Sequence, residues 1–187
     1  MARRHQQLYA ALHDWNAPTP AEETYRTRML ALCDTPSPLN RKQYTPGHFT
    51  ASAFILSPDN RALLLIYHRK LERWLQPGGH IESDDLNLLD AAQREAQEEC
   101  RLAATDLTAL SSEPFDIDIH TIPAHKNEPA HEHFDVRYLF RCHHLKASAG
   151  DGVLDLRYVR LEDVKTMQSD ASVMRAVSRL QERLKSG

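Results

Sequence analysis

The sequence predicts an α/β sandwich with a mixed sheet, preceded by an N-terminal helical arm. Three observations carry that prediction. Apolar residues recur at helical spacing in residues 1–45, β-rich runs take over at His48, and the remainder reads as strands, a helix, more strands and a closing helix. That order suits a mixed sheet better than a doubly wound parallel one.

In the arm, Leu8, Leu12 and Trp15 share a helical stripe, and Pro18 stops the first helix. Thr19-Pro20-Ala21-Glu22 reads as an N-cap, a proline at the first helical position and an acid in the first turn. A second helix should therefore run to about Cys33, ahead of the breakers Pro36 and Pro38. The main domain, residues 46–187, opens with β-rich runs at His48–Leu56 and Arg61–His68. The turn cluster Ser57-Pro58-Asp59-Asn60 between them makes the pair a hairpin. Gln76-Pro77-Gly78-Gly79-His80 is a Gly-rich loop, and a helix follows from about Leu86 to Cys100. Asp116–His120 and His133–Arg141 are the next strands and Leu156–Val159 a short one. Asp170 caps a last helix through about Leu184.

Composition narrows the function classes. Of 187 residues, 41% are hydrophobic and 26% charged, with a net charge of −3, so nothing points to coating of nucleic acid or adsorption to membranes. An acidic chain still binds a phosphorylated substrate when metal ions neutralise the contact. The three cysteines, Cys33, Cys100 and Cys142, form neither a disulfide framework nor a zinc spacing, which suits a reducing cytoplasm. The N-terminus lacks an apolar h-region, and the longest apolar run, Ala62–Tyr67, is too short to span a bilayer. The apolar faces of the arm are expected to cover a cleft or to build a homodimer interface.

The predicted helix ending at Cys100 carries the chemistry. Each helical residue advances about 100°, so Glu95 and Glu99 stack with Glu98 beside them, next to an apolar stripe of Leu89, Ala92, Ala96 and Cys100. Like charges this close favour protonation unless a cation is present. Glu98 and Glu99 also sit in the last turn, where the helix dipole disfavours them by about 0.3–1 kcal/mol each. The alternative is a solvated acidic face.

Context favours the site. Gly79 to Leu102 resembles the Nudix box, G-x5-E-x7-R-E-U-x-E-E-x-G-U, with Arg94-Glu95-Ala96-Gln97-Glu98-Glu99 on its core and Leu102 on its closing apolar position. The resemblance implies a Nudix-type α/β/α sandwich and a Mg²⁺-dependent pyrophosphohydrolase, with Mn²⁺ as an expected substitute. It implies that Glu95, Glu98 and Glu99 hold the metal, with the Gly79 carbonyl as a further ligand, and that Arg94 orients the carboxylates. Glu98 is the first candidate for general base, and Glu128 or Glu132 from a later loop the second. The substrate implied is a nucleoside diphosphate linked to another moiety, or a nucleoside triphosphate, cleaved by water attack at phosphorus. A nucleotide-sensing module without catalysis is the rival reading, and a prenyl diphosphate isomerase a third.

Two departures qualify the match. One extra residue between Gly79 and Arg94 leaves Asp84 or Asp85 in place of the early Glu, and Asp85 is the expected ion-pair partner of Arg94. Arg101 stands where a Gly is expected, costing about 1 kcal/mol if the residue is left-handed.

Histidine is abundant, with eleven residues. In the strand around His133, alternation puts Phe134, Val136, Tyr138 and Phe140 on one face and His131, His133, Asp135 and Arg137 on the other. That polar face is solvated, lines the substrate cleft or holds a transition metal. His131, His133, Asp135 and Arg137 are therefore candidate substrate residues, as is His80 directly after the glycine pair.

Overall fold

The computed structural model describes residues 2–125 and 127–185. Helix α1 (Ala2–Asp14) precedes α2 (Pro20–Cys33). The Thr19 cap forms as the sequence implies: its backbone is extended at φ −136°, and its hydroxyl accepts the Glu22 N–H at 3.3 Å. The same hydroxyl donates to the Glu22 carboxylate at 2.7 Å, and a cap of this kind is worth about 1 kcal/mol. Leu8 and Leu12 of α1 and Met29, Leu32 and Cys33 of α2 are buried.

Eight strands follow in the order β1 (Gly47–Leu56), β2 (Ala62–His68), β3 (Arg73–Leu75), β4 (Gly78–His80), β5 (Leu107–Ala109), β6 (Asp116–Ile122), β7 (His131–Cys142) and β8 (Val153–Arg160). Helix α3 (Leu88–Cys100) lies between β4 and β5, and α4 (Ala171–Lys185) closes the chain. The strands form a mixed sheet in the order β3-β2-β1-β7-β5, with β4 on β1, β6 on β7 and β8 on β2. Every position of β1 is buried, as expected of a strand covered on both faces.

The chain divides into two units, and β1, β4, α3 and β7 contribute residues to both. The first comprises the chain up to Ser52 with Gly79–Ala92 and Ser111–Tyr138. Here the arm is anchored by specific bonds. Arg4 donates to the carbonyls of Glu82 and Asp85, each at 2.8 Å, and the Trp15 indole donates to the Pro114 carbonyl at 3.0 Å. The second comprises Ala53–Gly78, Gln93–Leu110 and the chain from Leu139 on. Its centre is the antiparallel β2/β8 ladder, from Ala62↔Arg160 to His68↔Val153. Asn60, at φ 60°, closes the β1/β2 hairpin, and Val173, Ala176, Val177 and Leu180 form the buried stripe of α4. Asp170 caps that helix by accepting the Val173 N–H at 2.9 Å.

Three short strands were not anticipated. β3, β4 and β5 have three residues each, too few for a period of two to show, and the expected Gly-rich loop contains β4. β8 runs longer than Leu156–Val159 because the long ladder with β2 extends it. Among the described residues no helix is long and apolar enough to cross a membrane.

Candidate functional site

Helix α3 buries Leu88, Ala91, Ala92, Ala96 and Cys100. Leu89, expected in that stripe, is only half-buried, and Leu88 takes its place. The acidic residues lie along the margin of the buried stripe. Glu98 is the exposed one, and Arg94 reaches both Glu95 at 3.0 Å and Glu98 at 3.3 Å. Glu99 points inward and accepts the Gly78 N–H at 2.9 Å. Burial pushes its carboxyl up to about 8; the Gly78 N–H opposes that rise, while the charges of Glu95 and Glu98 reinforce it.

The C-terminal end of α3 is tied down by a segment distant in sequence. Ser148 donates its N–H to the Cys100 carbonyl at 3.0 Å, and Gly150 donates to the Glu99 carbonyl at 2.8 Å. A Cβ at Gly150 would collide with the Glu98 carbonyl, so only glycine lets this segment close on the helix end. Arg101 has φ 49° and so ends the helix in the left-handed region, as the motif's glycine would.

Before the helix, Asp84 and Asp85 part company. Asp84 is exposed beside Ser83, whereas Asp85 is buried and accepts the Glu82 N–H at 2.7 Å. Glu132, a candidate base, is engaged by Arg28 at 2.5 Å, and the exposed Glu128 lies 3.8 Å from Arg41.

The polar face of β7 is not solvated. Antiparallel pairing sets Asp116 opposite Arg137, Asp118 opposite Asp135 and His120 opposite His133, so alternate residues of both strands form one polar seam. At one end of the seam Arg137, 1% exposed, pairs with Asp135 at 2.8 Å, Asp116 at 3.0 Å and Asp118 at 3.5 Å. Burial alone would lower the pKa of Arg137, but the three carboxylates outweigh it and raise the value. Thr50 and Ser52 donate hydroxyl bonds to Asp135 at 3.1 and 2.8 Å. Asp135 and Arg137 thus sit in a buried ionic cluster, and the expectation of a solvated or cleft-facing strand gives way there.

At the other end of the seam the histidines gather. The rings of His48 and His133 are 4.8 Å apart, His48 and His80 5.2 Å, and His80 and His133 5.3 Å. His131 lies 5.2 Å and His120 5.5 Å from His133. Burial pushes His133 down to about 2, and the neighbouring histidines add to the shift. His48, 0% exposed, is lowered for the same first reason. His48 was not among the sequence candidates. The available signal was its place one residue into a long strand, after Gly47, whose φ is 147°. A Cβ at Gly47 would strike the Glu132 carbonyl, so glycine allows β1 to approach β7 at this level.

Comparison with known proteins bears on this arrangement. A probable DHNTP pyrophosphohydrolase of Lactococcus lactis subsp. cremoris (strain MG1363) is 33% identical over 104 residues. That alignment covers 54% of this chain and 58% of the relative, so the chain spans little more than half the length of that curated protein. The crystal structure of a NUDIX-family hydrolase from Clostridium perfringens matches with a TM-score of 0.56 and 27% identity, covering 76% of this chain and 98% of that one. The E. coli dihydroneopterin triphosphate pyrophosphohydrolase matches with a TM-score of 0.58 over 70% of this chain and 92% of its own, at 16% identity, a likeness of fold alone. The family model described as the NUDIX domain matches residues 46–179, which include all of α3 and its acidic residues. On that match, the chain belongs to the NUDIX domain family.

Proposed function

We propose that the protein is a Mg²⁺-dependent pyrophosphohydrolase acting on a nucleotide-like di- or triphosphate, with α3 as its catalytic element. The observation that carries this reading is the gathering of Glu95, Glu98 and Glu99 on one helix margin, with Glu99 turned inward onto the Gly78 N–H and its carboxyl raised by desolvation. Such a group is most readily ionised next to a cation, and an all-oxygen donor set suits Mg²⁺ or Mn²⁺. Glu95, Glu98 and Glu99 would hold the ion. When bound, the ion neutralises diphosphate charge and lowers the pKa of a water.

The chain's own residues then have separable tasks. Glu98, the exposed member of the trio, takes the proton of the attacking water. The water oxygen bonds to phosphorus as the bridging P–O bond breaks, leaving two phosphorylated products. Arg94 holds Glu95 and Glu98 in register through its two ion pairs. Glu99 ties β4 to the helix through Gly78.

The name of the 33%-identical relative supports the reaction class, and the substrate in that name joins the panel to be tested. Three free, buried cysteines support a cytoplasmic setting. The test is turnover by the purified protein with Mg²⁺ on dihydroneopterin triphosphate, nucleoside triphosphates and nucleoside diphosphates linked to other groups. The expected result is release of pyrophosphate or phosphomonoesters, with Glu98→Gln slower by at least about 100-fold. Tight nucleotide binding without turnover would overturn the proposal in favour of a sensor.

A further inference from the structure

Among the described residues, His48, His80 and His133 each offer a ring nitrogen, and these nitrogens all lie within 4.8 Å of one another. They come from three different strands, β1, β4 and β7. Packed histidines are ordinary when their nitrogens are satisfied. Here the Nε2 atoms of His48 and His133 are buried and have no hydrogen-bond partner, an arrangement that costs about 1–3 kcal/mol for each group.

The tautomer of His48 sharpens the point. Its Nδ1 lies 3.2 Å from the Gln43 carbonyl, which can only accept, so Nδ1 carries the proton. Nε2 is left as a bare, buried lone pair. A ring oriented by a backbone carbonyl through one nitrogen, with the other free to ligate, is the common arrangement of metal-binding histidine. Gln43 is itself held, donating to the Thr35 hydroxyl at 3.0 Å and to the Gly47 carbonyl at 2.9 Å. His120 flanks His133 and lies 3.2 Å from Asp118, so a carboxylate–imidazole pair borders the cluster.

We infer that His48, His80 and His133 form a binding site for a divalent transition-metal ion of the zinc type, distinct from the carboxylates of α3. Three neutral imidazoles suit Zn²⁺ or Co²⁺ and not Mg²⁺, which demands oxygen. The distances allow it. Nitrogens bound to one zinc at about 2.0–2.1 Å in tetrahedral geometry stand about 3.4 Å apart. Starting from separations within 4.8 Å, each donor moves in by less than about 1 Å, within reach of small ring rotations. A fourth position remains for water or another ligand. The strand-borne trio His131, His133 and Asp135 suggested by the sequence is not this set: Asp135 is committed to Arg137, and His131 is not among the residues whose ligand atoms lie within 4.8 Å of one another.

The test separates this site from the helix carboxylates. Glu98→Gln/Glu99→Gln protein, stripped with chelator, is titrated with Zn²⁺ by calorimetry and with Co²⁺ by visible absorption. One equivalent should bind, with the intense bands of four-coordinate Co²⁺. His80→Gln and His133→Asn, each shown folded by circular dichroism, should weaken binding by at least about tenfold. His125→Gln, at an exposed position, should leave it intact. His80 is only half-buried, so its replacement keeps the test readable if the His133 variant fails to fold. No binding by the carboxylate variant, or binding insensitive to His80→Gln, would overturn the inference whatever the hydrolase assay shows.

Discussion

Replacing Glu99 with Gln should stabilise the metal-free protein at neutral and alkaline pH while removing its response to Mg²⁺. The glutamine side chain keeps an oxygen for the Gly78 N–H, which Glu99 accepts at 2.9 Å, so the local geometry survives. What changes is the titration. Glu99 has an ordinary value of 4.5 and is pushed to about 8 in the folded chain. A carboxyl raised on folding contributes stability that is fully present below 4.5 and lost as pH rises through about 8, because the unfolded chain releases its proton first. Each unit is worth about 1.4 kcal/mol, so the loss across the window approaches about 4 kcal/mol. Urea denaturation in the presence of chelator at several pH values between 4.5 and 8 measures it. The wild type and Glu99→Gln should match near pH 4.5 and diverge steadily above it, with the variant more stable. Adding Mg²⁺ at about 100 times its dissociation constant should return about 2.7 kcal/mol to the wild type and much less to the variant. Parallel pH profiles would refute the buried-carboxyl argument, and an equal Mg²⁺ response would refute the role of Glu99 as a ligand.

Other substitutions probe the supports of the site. Arg101→Gly, at φ 49°, should raise stability by about 0.5–1 kcal/mol, read as a higher urea midpoint at unchanged slope. Arg137→Met strands three buried aspartates and should cost about 3–5 kcal/mol, measurable by the same method. Gly47→Ala should lower the melting temperature and weaken Zn²⁺ binding together, because the added Cβ pushes β1 off β7 where His48 meets His133. His133, held at about 2 against an ordinary 6.5, contributes stability present above pH 6.5 and lost as pH falls below it. Metal-free wild type should therefore lose stability below pH 6.5 faster than His133→Asn, by up to about 1.4 kcal/mol per unit.

The long elements were readable because their signals are local. The Thr19 cap, the proline at the start of α2, the turn before β2 and the Asp170 cap each act within four residues, and each formed where the sequence placed it. The three-residue strands were unreadable for the opposite reason: their conformation comes from a partner strand, not from their own pattern. The same contrast divides the candidate sites. Arg94, Glu95, Glu98 and Glu99 lie within six consecutive residues of one helix, so periodicity alone brings them to one margin.

The histidine cluster has no such local logic. His48, His80 and His133 meet only because β1, β4 and β7 are neighbours in the sheet and Gly47 permits a close approach, and the one cue beside His48 in the chain, that glycine, does not say which strands it will meet. Nor could alternation along β7 say whether its polar face met water, since that depends on whether the neighbouring strand carries matching charge. Asp116 and Asp118 on β6 supply that charge, and they turn an expected substrate face into a buried ionic core at Asp135 and Arg137. By itself the sequence determined the helix that bears the acids, because helical geometry is set by neighbours in the chain. Tertiary structure alone decided which histidines share a centre, because that depends on register between residues far apart in sequence.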